Sequence, residues 1–135
     1  MVHASAKWSG QMHFSATGDG GHTLLIDGDG KAANSPMQLV LLALCGCTGY
    51  DVVSILQKKR EPFTAIEVKA EAEKAAQPPR VYTQIKLTYF VTGKVSRKAV
   101  EDAVRLSEEK YCSVAAMLGK TARITYEIRI DSNAA

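Results

Sequence analysis

The chain has 135 residues, of which 46% are hydrophobic and 23% charged, with a net charge of +3. That is enough for one core and short for two, so a single domain over residues 1–135 is expected. No basic run is longer than "KKR" at 58–60, which argues against nucleic acid as a partner. The opening "MVHASAKWSGQMHF" is polar and alternating, neither a signal peptide nor a membrane span, so a cytoplasmic location is expected. Three cysteines are an odd number for a disulfide framework, and a reducing compartment keeps them as thiols unless oxidation is the chemistry itself.

Residues 2 to 27 hold three short strand candidates, "VHASAKW", "QMHFSAT" and "HTLLID", separated by Ser-Gly and by "GDGG". These turn signals predict an antiparallel meander. At Ser35-Pro36 a serine suited to the N-cap precedes a proline suited to the first helical position. From Pro36 to about Lys59 the pattern is apolar almost all round, with Met37, Leu39, Val40, Leu41, Leu42 and Leu44 followed by Val52, Val53, Ile55 and Leu56. Such a helix belongs in the middle of a core. Gly46, Thr48, Gly49, Tyr50 and Asp51 interrupt the apolar run after about ten residues, short of the roughly twenty that a bilayer requires.

Two alternating strands are expected next. "AIEVKAEAEK" sets Ile66, Val68, Ala70 and Ala72 against Glu67, Lys69, Glu71 and Glu73, and "TQIKLTYFVTGK" turns Ile85, Leu87, Tyr89 and Val91 inward, as in a sheet with one wet face. The prolines of "AAQPPR" make the connection a loop. Ser96 caps a surface helix whose apolar stripe is Val100, Ala103, Val104 and Ser107, with Lys98, Glu101, Asp102, Arg105 and Glu108 toward water. A short helical piece comes after it in "EKYCSVAAML", ending near Gly119, and "RITYEIRI" is the last strand.

The chemistry centres on "LALCGCTGYD", where two thiols interrupt an apolar helix. Residues two apart on a helix point about 200° from each other, so Cys45 and Cys47 serve different sites. Gly46, Thr48 and Gly49 thin the helix around Cys47 and leave room for a partner or substrate. Cys112 is the candidate partner, because at the start of a short helix free N–H groups favour a thiolate, and Lys110 is near in sequence. Two readings stand on spacing alone: a redox pair, or three unrelated buried thiols. Metal is not expected, because the cysteines and His3, His13 and His22 offer no paired ligand spacing. Tyr50 and Asp51 fall on the Cys47 side of the helix; Asp51 either holds a hydrogen-bond network or marks where the helix leaves the core. Arg80 is a loop cation or a bidentate donor reaching into a pocket.

The order of elements, with "NSPMQLVLLALCGCTGYD", "PPRVYTQIKLTYFVTG" and "EKYCSVAAML", resembles the OsmC/Ohr superfamily of osmotically inducible and organic hydroperoxide resistance proteins, most of all its YhfA-like branch. The resemblance implies an α+β fold with two intertwined subunits, their central helices packed together and the active sites at the interface. It further implies Cys47 as the peroxidatic cysteine and Cys112 as the resolving one. Cys47 would become a sulfenic acid on attacking an organic hydroperoxide, Cys112 would capture it as a disulfide, and an external thiol or dihydrolipoyl group would reduce that disulfide without a bound cofactor. Cys45 is left to pack.

The sequence departs from the family pattern in two places. Met37 stands where the peroxidases carry a glutamate, and the first arginine is Arg60, so the arginine that activates the cysteine in relatives is missing from the N-terminal region. A thiol at its free pKa of about 8.5 is only a few per cent thiolate at pH 7. Replacement candidates are His22, Lys7, Lys31, Lys110 and Arg80. The rival expectation is a small-molecule binding protein or thiol redox sensor on the same dimeric fold, with an apolar ligand and weak or no turnover.

Overall fold

The computed structural model describes residues 1–133 and orders the chain as three strands, a long helix, two strands, two helices and a final strand. By contacts it divides into two compact units, Met1–Leu42 and Ala43–Ala135, with the long helix beginning in the first and continuing through the second.

The first unit is the expected meander. β1 (Ala4–Gly10), β2 (His13–Gly18) and β3 (Thr23–Asp27) pair antiparallel in the order β1-β2-β3. The loop after β3 is organised by the buried Asp27, whose carboxylate accepts backbone N–H bonds from Asp29, Lys31 and Ala32 at 2.9–3.1 Å. Those bonds hold its pKa below the ordinary carboxylate value, with the backbone of Ala32 and Asp29 contributing most. It leads to Ser35, whose Oγ accepts from the Gln38 N–H at 3.2 Å as the N-cap of α1 (Pro36–Lys58).

As expected from the sequence, the helix runs unbroken for 23 residues through the positions that interrupt its apolar run. Its length and composition would suffice for a membrane span, yet only 22% of its most apolar 18-residue window is buried within this chain. The buried positions, Leu41, Leu44, Thr48, Val52 and Leu56, recur at three and four residues and form one stripe. The expectation of a helix enclosed all round is therefore met on one face, while Leu42 and Tyr50 stand exposed.

In the second unit β4 (Phe63–Lys74) pairs antiparallel with β5 (Tyr82–Gly93), and β5 pairs parallel with β6 (Arg123–Asp131), giving the order β4-β5-β6. A parallel neighbour requires a crossover. It is supplied by α2 (Arg97–Leu106), a wide turn at 107–111 and α3 (Ser113–Leu118). The central strand has the alternation read from its sequence: Ile85, Leu87, Tyr89 and Val91 are all fully buried. They share the core with Leu44, Val52 and Leu56 of α1 and with Val100, Ala103 and Val104 of α2.

The end of β5 is fixed by Gly93, whose φ of +132° lies outside the range of L side chains. A Cβ there would also sit 2.6 Å from the Pro62 carbonyl oxygen and 2.8 Å from Phe63 Cα. Gly93→Ala should therefore cost about 2 kcal/mol or more in urea denaturation, whereas Gly18→Ala, where a Cβ meets nothing within 4 Å, should stay within about 0.5 kcal/mol.

Candidate functional site

One side of α1, the middle of β5 and the turn after α2 bring their polar side chains together around Thr48. Its Oγ1 is fully buried, 2.6 Å from the Tyr89 hydroxyl and 2.8 Å from Ser107 Oγ. Ser107 Oγ donates to Asp51 Oδ2 at 2.8 Å, and the Tyr89 hydroxyl lies 2.7 Å from Glu108 Oε1. Five side chains thus form one line, Asp51, Ser107, Thr48, Tyr89 and Glu108. Tyr89 is further fixed edge-on against Tyr126, with ring centroids 6.1 Å apart.

Local structure explains why the second helix contributes two residues in succession. After Leu106 the backbone widens into a π turn, and the Cys112 N–H donates to the Ser107 carbonyl oxygen at 2.8 Å. A π turn inserts one residue into the helical register and rotates the residues beyond it. Glu108, expected on the wet face, is turned inward and half-buried. Burial pushes its pKa above the ordinary carboxylate value, partly offset by the Tyr89 contact. Burial also raises the Tyr89 phenol.

The turn delivers Cys112 to the start of α3, as its N-cap. Cys112 is buried, and its Sγ accepts from the Ala115 N–H at 3.3 Å. The helix start was expected to favour a thiolate, but burial outweighs it: the Cys112 thiol is pushed up to about 12. The Ala115 N–H pulls it down, while interaction of the Cys112 S–H with Cys47, the Cys47 charge and the Asp51 charge add to the rise. The two cysteines singled out in the sequence are therefore neighbours, close enough to act on each other. Cys45, on another side of α1, has its own pKa raised by burial.

The supporting candidates divide. Asp51 is in the hydrogen-bonded line, as one of its two readings required. Tyr50 is exposed, and with Asp51 it lines a cleft of about 510 Å³ shared with Ser54, Ile55, Lys58, Lys59, Leu106 and Tyr111. Lys110 is exposed and lies over the Tyr111 ring at 5.3 Å. Arg80 is exposed on the β4–β5 loop, and His22 is exposed beside Gly20 in the first unit. None of these cations is among the influences acting on Cys112, which are the Ala115 N–H, Cys47 and Asp51. Among the described residues no cluster of His, Cys, Asp or Glu could hold a metal.

Thr48, Tyr89, Ser107 and Glu108 were not read as site residues from the sequence. A signal existed for two of them: Thr48 lies three residues before Asp51 and so shares its face, and Ser107 closes an otherwise aliphatic stripe. Because the Asp51 charge opposes ionisation of Cys112, Asp51→Asn should let that thiolate form at lower pH. The ultraviolet absorbance of the thiolate in a Cys45→Ser, Cys47→Ser background reports it; an unmoved titration would remove Asp51 from the thiol environment.

A family model for OsmC-like protein matches residues 28–127. The chain is 44% identical over 131 residues to protein YhfA of Escherichia coli strain K12, covering 96% of this chain and 98% of that one. A crystal structure of a protein from Aquifex aeolicus VF5 superposes with a TM-score of 0.85 at 30% identity, covering 98% of both chains. The organic hydroperoxide resistance protein OhrB of Bacillus subtilis shares the fold with a TM-score of 0.63 at 17% identity, over 96% of this chain and 98% of its own. The chain belongs to the OsmC-like family.

Proposed function

We propose that this chain is a thiol-dependent peroxidase that reduces organic hydroperoxides with two cysteines, in oxidative-stress defence. The observation that carries the reading is the proximity of Cys47 on α1 to Cys112 at the start of α3, close enough for each thiol to act on the other. Two thiols brought together from distant parts of the chain can close a disulfide without large rearrangement.

In this cycle the Cys47 thiolate attacks one oxygen of the hydroperoxide and the O–O bond breaks. The alkoxide leaves and takes up a proton to become the alcohol, while Cys47 retains the other oxygen as a sulfenic acid. Cys112 then attacks the Cys47 sulfur, the S–S bond forms, and hydroxide leaves with the Cys112 proton as water. An external dithiol, such as a dihydrolipoyl group, returns two electrons and two protons. The cycle calls for no bound cofactor or metal. Burial, Cys47 and Asp51 all push the Cys112 thiol up, which leaves the first attack to Cys47.

A homodimer in the cytoplasm is part of the proposal. The exposed apolar residues of α1, Leu42 among them, suit a second copy of the helix better than water. A reducing compartment keeps the pair as thiols between turnovers.

One observation favours the second reading, a binding protein or redox sensor of the same fold. The carboxylate acting on Cys112 is that of Asp51, and it opposes a thiolate, the reverse of what an activating arginine would do. The two readings separate on exposure to cumene hydroperoxide. A peroxidase should form the Cys47–Cys112 disulfide, seen by mass spectrometry, much faster than a free thiol reacts. Cys47→Ser should abolish peroxide consumption and Cys45→Ser leave it nearly intact. Oxidation no faster than that of a free thiol, with a bound apolar molecule in the native mass spectrum, would establish the binding protein instead.

A further inference from the structure

The line from Asp51 to Glu108 contains four hydrogen bonds: Asp51 to Ser107 at 2.8 Å, Ser107 to Thr48 at 2.8 Å, Thr48 to Tyr89 at 2.6 Å and Tyr89 to Glu108 at 2.7 Å. Each needs one proton lying between its two oxygens. The three hydroxyls supply one apiece, and an ionised carboxylate supplies none. With both carboxylates ionised there are three protons for four bonds. Ser107 would then donate to Asp51, Tyr89 to Glu108, and Thr48, with a single hydrogen, would satisfy one neighbour and face the other lone pair to lone pair. Such a buried contact forfeits the bond and adds repulsion at 2.6–2.8 Å. A fourth proton on either end removes the conflict, because all four bonds then point one way.

We propose that Glu108 carries this fourth proton and is the donor end of a relay through Tyr89, Thr48 and Ser107 that ends on Asp51. In the resting arrangement the Glu108 carboxyl O–H donates to Tyr89, Tyr89 to Thr48, Thr48 to Ser107 and Ser107 to the Asp51 carboxylate. Passing one proton along each bond reverses all four and leaves Glu108 ionised and Asp51 neutral. No atom moves by more than a hydroxyl rotation or a proton transfer, and the charge is conserved. The negative charge that opposes a thiolate at Cys112 is thereby carried away to the far end of the line. Use of the relay in thiol chemistry rests on the two-cysteine reading; the proton count does not.

The surroundings of Glu108 favour it as the holder. It is half-buried, and burial disfavours its ionised form. The groups facing the line are the phenol of Tyr89 on β5, the Tyr126 ring on β6 and the Cys112 thiol ahead of α3. The cation one turn before Glu108, Arg105, donates to Asp102 at 3.0 Å, and Glu109 is exposed. The other perturbed carboxylates, Asp27, Asp102 and Glu127, are held on the ionised side by their donors.

The test is the infrared carbonyl band of a neutral carboxylic acid at pH 7, recorded on the reduced full-length protein with circular dichroism to confirm that each variant folds. Wild type should show one such band. Glu108→Gln should lose it, since the amide donates to Tyr89 in its place, and in the wild type carbon-13 labelling of the glutamate side-chain carboxyls should shift the band while the same labelling of aspartate leaves it in place. Thr48→Val is decisive: with the line cut in the middle, Ser107 still serves Asp51 and Tyr89 still serves Glu108, so no fourth proton is called for and the band should vanish. Ser107→Ala makes the same cut if Thr48→Val fails to fold. A wild-type spectrum without the band, a band that shifts with labelled aspartate rather than labelled glutamate, or one that persists when the line is cut would each overturn the proposal. None of these outcomes depends on whether peroxide reacts with Cys47.

Discussion

Thr48 has one proton, two acceptor lone pairs and no access to water, and most of the distinctive features of the second unit stem from that. An apolar residue on that stripe of α1 would have allowed β5 and the turn after α2 to be lined with aliphatic side chains. With a hydroxyl there, β5 must answer with the phenol of Tyr89 and the crossover with Ser107, because an unpaired buried hydroxyl costs on the order of 1–3 kcal/mol. Those two groups in turn require partners of their own, which are the carboxyls of Glu108 and Asp51. A single polar position on a helix has propagated to two ionisable groups on opposite sides of it.

Among the described residues every buried polar side-chain atom has a partner within hydrogen-bonding distance. That satisfaction is counted between heavy atoms, and protons obey a stricter rule. The line from Asp51 to Glu108 is complete in oxygens and one short in hydrogens, so its protonation state is a property of the whole line and of no single residue in it. The thiols share the environment. A low-dielectric pocket that keeps a carboxylic acid neutral also keeps Cys112 a thiol.

Much of the fold was legible because its elements carry strong periodicity. The alternation of β4 and β5 was read residue by residue, and the serine caps at Ser35 and Ser96 marked where α1 and α2 begin. The cysteine pair was legible from spacing together with family pattern. Three things were not. The apolar circumference of α1 concealed that this chain covers only one stripe of it. The helix start at Cys112 suggested an acidified thiol, whereas burial wins by a wide margin. Glu108 obeyed the 3.6-residue period in the sequence and belonged with water; a π turn, which leaves no compositional mark, moved it inside.

That turn also governs how the chain can change. Ser107 serves Thr48, Glu108 meets Tyr89, and Cys112 reaches Cys47, all within six consecutive positions whose directions are set by one extra residue in the helical path. Exposed positions in the segment, such as Glu109 and Lys110, can be exchanged freely for other polar residues without disturbing that path. Its length is another matter. Loss of a single residue would restore ordinary helical register and swing the carboxyl and the thiol away together, so the length of this segment is constrained along with the identities of Ser107, Glu108 and Cys112.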